Sequence, residues 1–248
     1  MRKLIVLAVL ALVAAGIFRA VRDRSAKAPV APDRPAGAAS YRAESFTRLP
    51  AEQPEAGGTS LELILDTSGS MAEKLPEGAT KMEVARDVLT NDFLPLLADD
   101  LYVGLVCFDD QAVRRLASLR RLSSAAGPGW LHREVLMEEV DRASPSGRTP
   151  IVASLRVARK NLERLAGRKI VVLITDGEES FYPNSVVLDE IESTRRAAIE
   201  VYVVGFNLGE QGIYLADALG LGRAYFQANG GREALLQAMT SILQAIER

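Results

Sequence analysis

The chain has 248 residues, 48% of them hydrophobic and 25% charged, with a formal net charge of −2 at pH 7. That composition allows one sizeable buried core plus an appendage, and nothing in the charge balance favours nucleic acid or an acidic surface as a partner. A single Cys and a single His exclude an internal disulfide and a Cys/His structural zinc site.

Arg2 and Lys3 precede an uncharged apolar run from Leu4 to Phe18. As a helix this run would span about 22 Å, short of the roughly 30 Å hydrocarbon core. It suits a secretory signal or a short signal anchor over residues 1–19, with membrane association through it and the rest of the chain outside the cytoplasm. No Cys follows, which argues against a lipoprotein anchor. Residues 20–58 read as a linker, interrupted by Pro29, Pro32, Pro35, Pro50 and Pro54 and closed by Gly57-Gly58. A single domain is expected over 59–248.

Within that domain, Leu61–Leu65 is a short apolar run stopping at Asp66, a strand. Met82, Ala85, Leu89, Phe93 and Leu96 recur at helical spacing, with Pro95 expected to end or kink the helix. Leu101–Phe108 and Ala112–Leu119 read as two strands joined by a hairpin turn at Asp109-Asp110-Gln111. Helices are expected around Trp130–Val140 and from Ile151 to Leu165. A β-branched strand follows over Lys169–Ile174. Further on come a helix through Val187, Leu188, Ile191 and Ala198, a strand over Val201–Val204, a short helix over Ile213–Leu219, a short strand over Ala224–Gln227, and a last helix through Leu235, Met239, Ile242 and Ile246. Alternating strands and helices predict an α/β fold: a doubly wound, mainly parallel open sheet with helices on both faces and one antiparallel edge strand. Ligands in such sheets sit beyond the carboxyl ends of the strands, where the strand order reverses.

Three segments stand at strand ends or helix starts: Asp66-Thr67-Ser68-Gly69-Ser70, Ser146-Gly147-Arg148-Thr149-Pro150 and Thr175-Asp176-Gly177-Glu178. If the first and fourth strands are neighbours, Asp66 and Asp176 stand about 5 Å apart at backbone level, and such carboxylates repel unless a cation or proton lies between them. Ser68, Ser70 and Thr149 add neutral oxygens. An all-oxygen set suits a hard cation, Mg²⁺ first, then Mn²⁺ or Ca²⁺. Each segment also has an ordinary reading. Ser68 and Ser70 fit a turn around Gly69, Thr149 fits a helix N-cap before Pro150, and Asp176-Gly177 fits a strand-ending turn.

Together the three segments resemble the metal-ion-dependent adhesion site of von Willebrand factor A and integrin inserted domains, and the likeness covers about residues 59–247. The resemblance implies a Rossmann-like fold and a metal site of Asp66, Ser68, Ser70, Thr149 and Asp176. It implies that Ser68 and Ser70 ligate directly, Thr149 directly or through water, and the aspartates largely through water. It further implies a partner protein whose Asp or Glu supplies the last ligand, with no catalysis. Arg148 stands where the family often has Gly, which alters shape and charge beside the site.

An enzyme is the weaker reading. No G-x-G-x-x-G, P-loop or G-x-S-x-G occurs, and Ser68 stands where phosphate-transferring aspartyl loops usually carry a second Asp. A structural subunit of a membrane complex, with metal only rigidifying the fold, is the other alternative. Phe181–Asn184 and Met71–Thr80 are expected to rim the site. Arg114, Arg115, Arg120 and Arg121 read as protective charge on an edge strand, Cys107 as a small core residue, and His132 as a solvated helix residue.

Overall fold

The computed structural model describes residues 49–108 and 113–248. The expected signal or anchor, most of the linker and the Asp109-Asp110-Gln111 turn lie outside the described residues.

Six strands form the main sheet in the order β3-β2-β1-β6-β7-β8. They are β1 (Thr59–Asp66), β2 (Tyr102–Phe108), β3 (Val113–Arg121), β6 (Arg168–Thr175), β7 (Glu200–Phe206) and β8 (Tyr225–Ala228). All neighbours run parallel except β3, which pairs antiparallel with β2 at the edge. A short hairpin of β4 (Ala125–Gly127) and β5 (Trp130–Leu131) stands apart. The helices are α1 (Lys81–Val88), α2 (His132–Arg142), α3 (Ile151–Leu162), α4 (Asn184–Arg196), α5 (Ile213–Leu219) and α6 (Arg232–Ile246).

The central strands are apolar on both faces because both faces are covered. On one side Leu61, Leu63 and Leu65 of β1 pack with Met82 and Ala85 of α1, Leu136 and Val140 of α2, and Leu235, Met239 and Ile242 of α6. On the other, Ile64 packs with Ile151, Leu155 and Leu162 of α3, Val187 and Ile191 of α4, and Leu215 of α5. This is the expected doubly wound α/β sheet with one antiparallel edge.

Local signals explain the helix ends. Thr80 and Glu83 form a capping box at α1: the Thr80 hydroxyl accepts from Glu83 N at 3.1 Å, and the Glu83 carboxylate accepts from Thr80 N at 2.7 Å. The expected helix to Leu96 is broken, since α1 gives way at Leu89 to a π turn and then to a 3₁₀ turn that contains Pro95. The helix expected from Trp130 starts at His132, because Trp130–Leu131 pairs with β4.

His132 is buried, not solvated. It heads the stripe His132, Val135, Leu136, Glu139, Val140 that α2 turns inward, and its Nε2 lies 2.8 Å from the Val103 carbonyl. Burial pulls its imidazole down to about 4, helped by the charge of nearby Arg120. Cys107 is buried in β2. Of the basic cluster, Arg120 is largely buried and pairs with Glu52 at 2.6 Å, while Glu52 N donates to Leu119 O at 2.8 Å. The stretch around Glu52 therefore lies along β3.

Candidate metal centre

The switch point lies between β1 and β6, which pair in register from Thr59–Arg168 to Leu65–Ile174. Asp66 ends β1 and Asp176 follows the last residue of β6, so the two carboxylates emerge side by side at the carboxyl ends of the central strands. The loop before α3 is stitched to the first segment by backbone bonds, Gly69 N to Gly147 O at 3.0 Å and Ser146 N to Thr67 O at 2.7 Å. All three segments thus meet at one place.

The oxygens form a connected set. Asp66 accepts from Ser68 N at 2.7 Å and from the Thr175 hydroxyl at 2.6 Å. The Ser68 and Ser70 hydroxyls are 3.0 Å apart, and Ser70 Oγ donates to Asp176 Oδ1 at 2.8 Å. Asp66, Ser68, Thr149 and Asp176 are all buried. Burial pushes the Asp66 carboxyl up to about 6, against the hydrogen bonds from Ser68 and Thr175, and the Asp176 charge adds to the rise.

Thr149 does not cap α3. The residue at the cap position is Pro150, and no side-chain cap bond is made there. Instead Glu179 reaches across: its carboxylate accepts from Val152 N in the first turn at 2.7 Å and from Phe181 N at 2.9 Å. The Thr149 hydroxyl is left facing Gly177. A Cβ built on Gly177 would stand 3.1 Å from Thr149 Oγ1 and 3.7 Å from Ser70 Oγ. Glycine there keeps open a small cradle between hydroxyls contributed by two of the segments.

This cradle fits a hard divalent cation. Its donors are carboxylate and hydroxyl oxygens only, and among the described residues no group of three His, Cys, Asp or Glu side chains offers a rival site.

Two residues were not anticipated. Lys81, the first residue of α1, is largely buried and places Nζ 2.8 Å from Asp176 Oδ2 and 2.7 Å from Glu73 Oε2. Burial pulls this ammonium down, but its bonds to Asp176 and Glu73 outweigh that and leave its pKa raised. The repulsion between Asp66 and Asp176 is therefore offset by partners on each carboxylate. Asp66 rests on two donors and Asp176 on a hydroxyl and a cation. The second residue is Glu179, whose role as a distant cap no local pattern announces.

At the rim, the Arg148 guanidinium sits 5.5 Å from the Phe181 ring centroid and that of Arg156 5.8 Å from Tyr182. Both rings are about half exposed, 48% and 44%. On the other side, the loop after Ser70 is folded back: Leu75 N donates to Ala79 O at 2.8 Å, and Met71 and Leu75 are buried.

Residues 61–179, from β1 to Glu179, match the family model described as von Willebrand factor type A domain. That match spans just under half of the chain, and the architecture, six mostly parallel strands with helices around them, matches the Rossmann-like fold of von Willebrand factor A domains. The uncharacterized protein YwmC of Bacillus subtilis (strain 168) is 27% identical over 154 residues, covering 60% of this chain and 66% of its own length. Among solved structures, the pilus adhesin SpaC from Lactobacillus rhamnosus GG superposes with a TM-score of 0.63 at 16% identity, over 79% of this chain and 31% of SpaC. Proximal thread matrix protein 1 from the mussel byssus, with a zinc-occupied MIDAS motif, gives 0.60 at 18% identity over 77% of this chain and 46% of its own. The chain thus spans about two thirds of YwmC and less than half of the two structures, and the structural likenesses speak to the fold.

Proposed function

We propose that this domain binds a divalent cation of the Mg²⁺ class through Asp66, Ser68, Ser70, Thr149 and Asp176, and through it the Asp or Glu carboxylate of a partner protein outside the cytoplasm. The observation that carries this reading is the unbroken chain from Ser68 Oγ to Ser70 Oγ to Asp176 Oδ1, with the Thr149 hydroxyl facing the same cradle over Gly177. A cation held mainly by neutral hydroxyls keeps enough Lewis acidity to take one further carboxylate oxygen. The chain's own residues orient and shield that position. Arg148, Phe181 and Tyr182 form an exposed rim that would contact the partner around its carboxylate.

Binding without catalysis suits the surroundings. The chain's one His is buried at the start of α2 with its Nε2 on the Val103 carbonyl, so it offers no general base at the cradle. The adhesin SpaC and the zinc-occupied thread matrix protein support adhesion and metal binding as roles this fold can host. Export is supported by the basic start and apolar run of the N-terminus. Among the described residues no helix is long and apolar enough to cross a membrane.

The test is retention of extracytoplasmic proteins by the immobilised full-length chain in Mg²⁺ and in chelator, repeated with Asp66→Ala. A protein held only by the wild type in Mg²⁺ and eluted by chelator supports the reading. Retention indifferent to chelator and to the substitution overturns it. A C-terminal reporter active only in the cytoplasm should stay silent, and its activity would refute the orientation.

A further inference from the structure

Lys81 occupies a place that the ordinary needs of a helix start do not explain. The α1 N-terminus is already capped by Thr80 and Glu83, and a cation in a first helical turn opposes the helix dipole. Yet the Lys81 side chain is only 10% exposed. It ends against Asp176, whose side chain is fully buried, and against Glu73, whose side chain is 66% exposed. An ammonium this close to a buried carboxylate supplies the counter-charge that a cation in the cradle also supplies.

We infer that Lys81 is a tethered counter-ion that holds Asp176 in the metal-free protein and competes with the divalent cation for its charge. This rests on the metal reading above and goes beyond it by assigning a positioning residue that sets the affinity of the site. Ser70 and Lys81 take one oxygen each of Asp176. Drawing that carboxylate toward the cradle weakens its bond to Lys81 and shifts the ammonium onto Glu73. Glu73 lies at the end of the 3₁₀ turn that begins at Gly69, so metal occupancy is transmitted to the loop between Ser70 and α1. Competition, not support, decides the sign: removing the lysine charge leaves Asp176 buried without its cation, which destabilises the metal-free protein and strengthens its hold on a divalent ion.

The experiment is Mn²⁺ titration, followed by calorimetry and by the spin signal of the free ion, on the full-length chain and its Lys81→Gln and Lys81→Arg variants, with thermal melts in chelator and in saturating Mn²⁺. Lys81→Gln should bind Mn²⁺ about tenfold tighter or more, melt lower than wild type in chelator, and lose most of that deficit in Mn²⁺. Lys81→Arg should restore wild-type behaviour. Equal or weaker binding by Lys81→Gln, with the same melting deficit in both conditions, makes Lys81 merely structural and overturns the inference while leaving the metal site standing. A wild type that binds no Mn²⁺ overturns the metal reading itself. Should Lys81→Gln fail to fold, Glu73→Gln at an exposed position decides. With its second partner gone, Lys81 engages Asp176 alone, and Mn²⁺ binding should weaken by about threefold. Unchanged or tighter binding would contradict the competition.

Discussion

Ser70 Oγ donates to Asp176 Oδ1 at 2.8 Å, joining residues 106 positions apart in the chain. That bond spans the seam between the loop after β1 and the loop after β6. It exists because the two strands are neighbours at the point where the sheet reverses direction. Everything proposed for the site follows from this closure.

Gly177→Ala tests the cradle. The backbone at Gly177 is not in the left-handed region, so alanine meets no conformational strain there, but its Cβ would crowd Thr149 Oγ1 at 3.1 Å. The variant should fold, and its affinity for Mg²⁺ should drop by about tenfold. Isothermal titration of both proteins decides, and undiminished affinity would place the cation elsewhere.

Thr149→Ala and Glu179→Ala should separate ligation from capping. Glu179 accepts from Val152 N and Phe181 N, so its loss should cost about 1–2 kcal/mol of stability with or without metal. Thr149 makes no side-chain cap, so its loss should cost less in chelator while weakening metal-dependent partner retention more. Urea unfolding in chelator, set beside the retention assay, checks the crossover. The same ranking of the two variants in both assays would refute it.

How far the sequence led depends on which contacts are local. That the three segments carrying the five proposed ligands meet was legible because each sits where an apolar strand stops or a helix begins. The mainly parallel sheet was legible because strands and helices alternate, and double winding made β1 and β6 the expected neighbours. Lys81 was not, since its meaning depends on α1 starting beside the end of β6, a relation between segments far apart in the chain. Glu179 was missed for the same reason: it caps α3 from 27 residues away. His132 could have been found. With Val135, Leu136, Glu139 and Val140 it completes a helical stripe at spacings of three and four. The β4–β5 hairpin also left a signal, the Pro128-Gly129 turn between its strands.

Two buried groups far from the metal cradle should contribute opposite pH dependences. Glu62 lies on the central strand, fully buried, with Asn161 Nδ2 2.8 Å from Oε1 and room for its carboxyl only because residue 104 is glycine. Burial raises it to about 7 from an ordinary 4.5, against Asn161 and Arg115. Between those values the folded protein holds an extra proton, so stability falls as pH rises. His132 is lowered to about 4 from 6.5. Between those values the folded protein lacks a proton that the unfolded chain binds, so stability falls as pH drops. Relative to wild type, Glu62→Gln should make the slope more positive by about 1.4 kcal/mol per unit over pH 4.5–6. His132→Gln should shift the slope by a similar amount in the opposite direction. Urea midpoints at pH 4.5, 5.5 and 6.5 test this, and parallel profiles for all three proteins would contradict it.

The most direct test of the central claim is a set of four thermal melts: the full-length chain and Asp66→Asn, each in chelator and in saturating Mg²⁺. Asparagine keeps the shape of Asp66 and an acceptor for Ser68 N while removing the charge at the carboxyl end of β1. In chelator the two proteins should melt close together. A ligand that binds only the folded state at about a hundredfold over its Kd stabilises it by about 2.7 kcal/mol, which for a domain of this size is about 5–10 °C. Mg²⁺ should raise the wild type by that order and Asp66→Asn hardly at all. Equal rises in the two proteins, or none in the wild type, would contradict a cation held between β1 and β6.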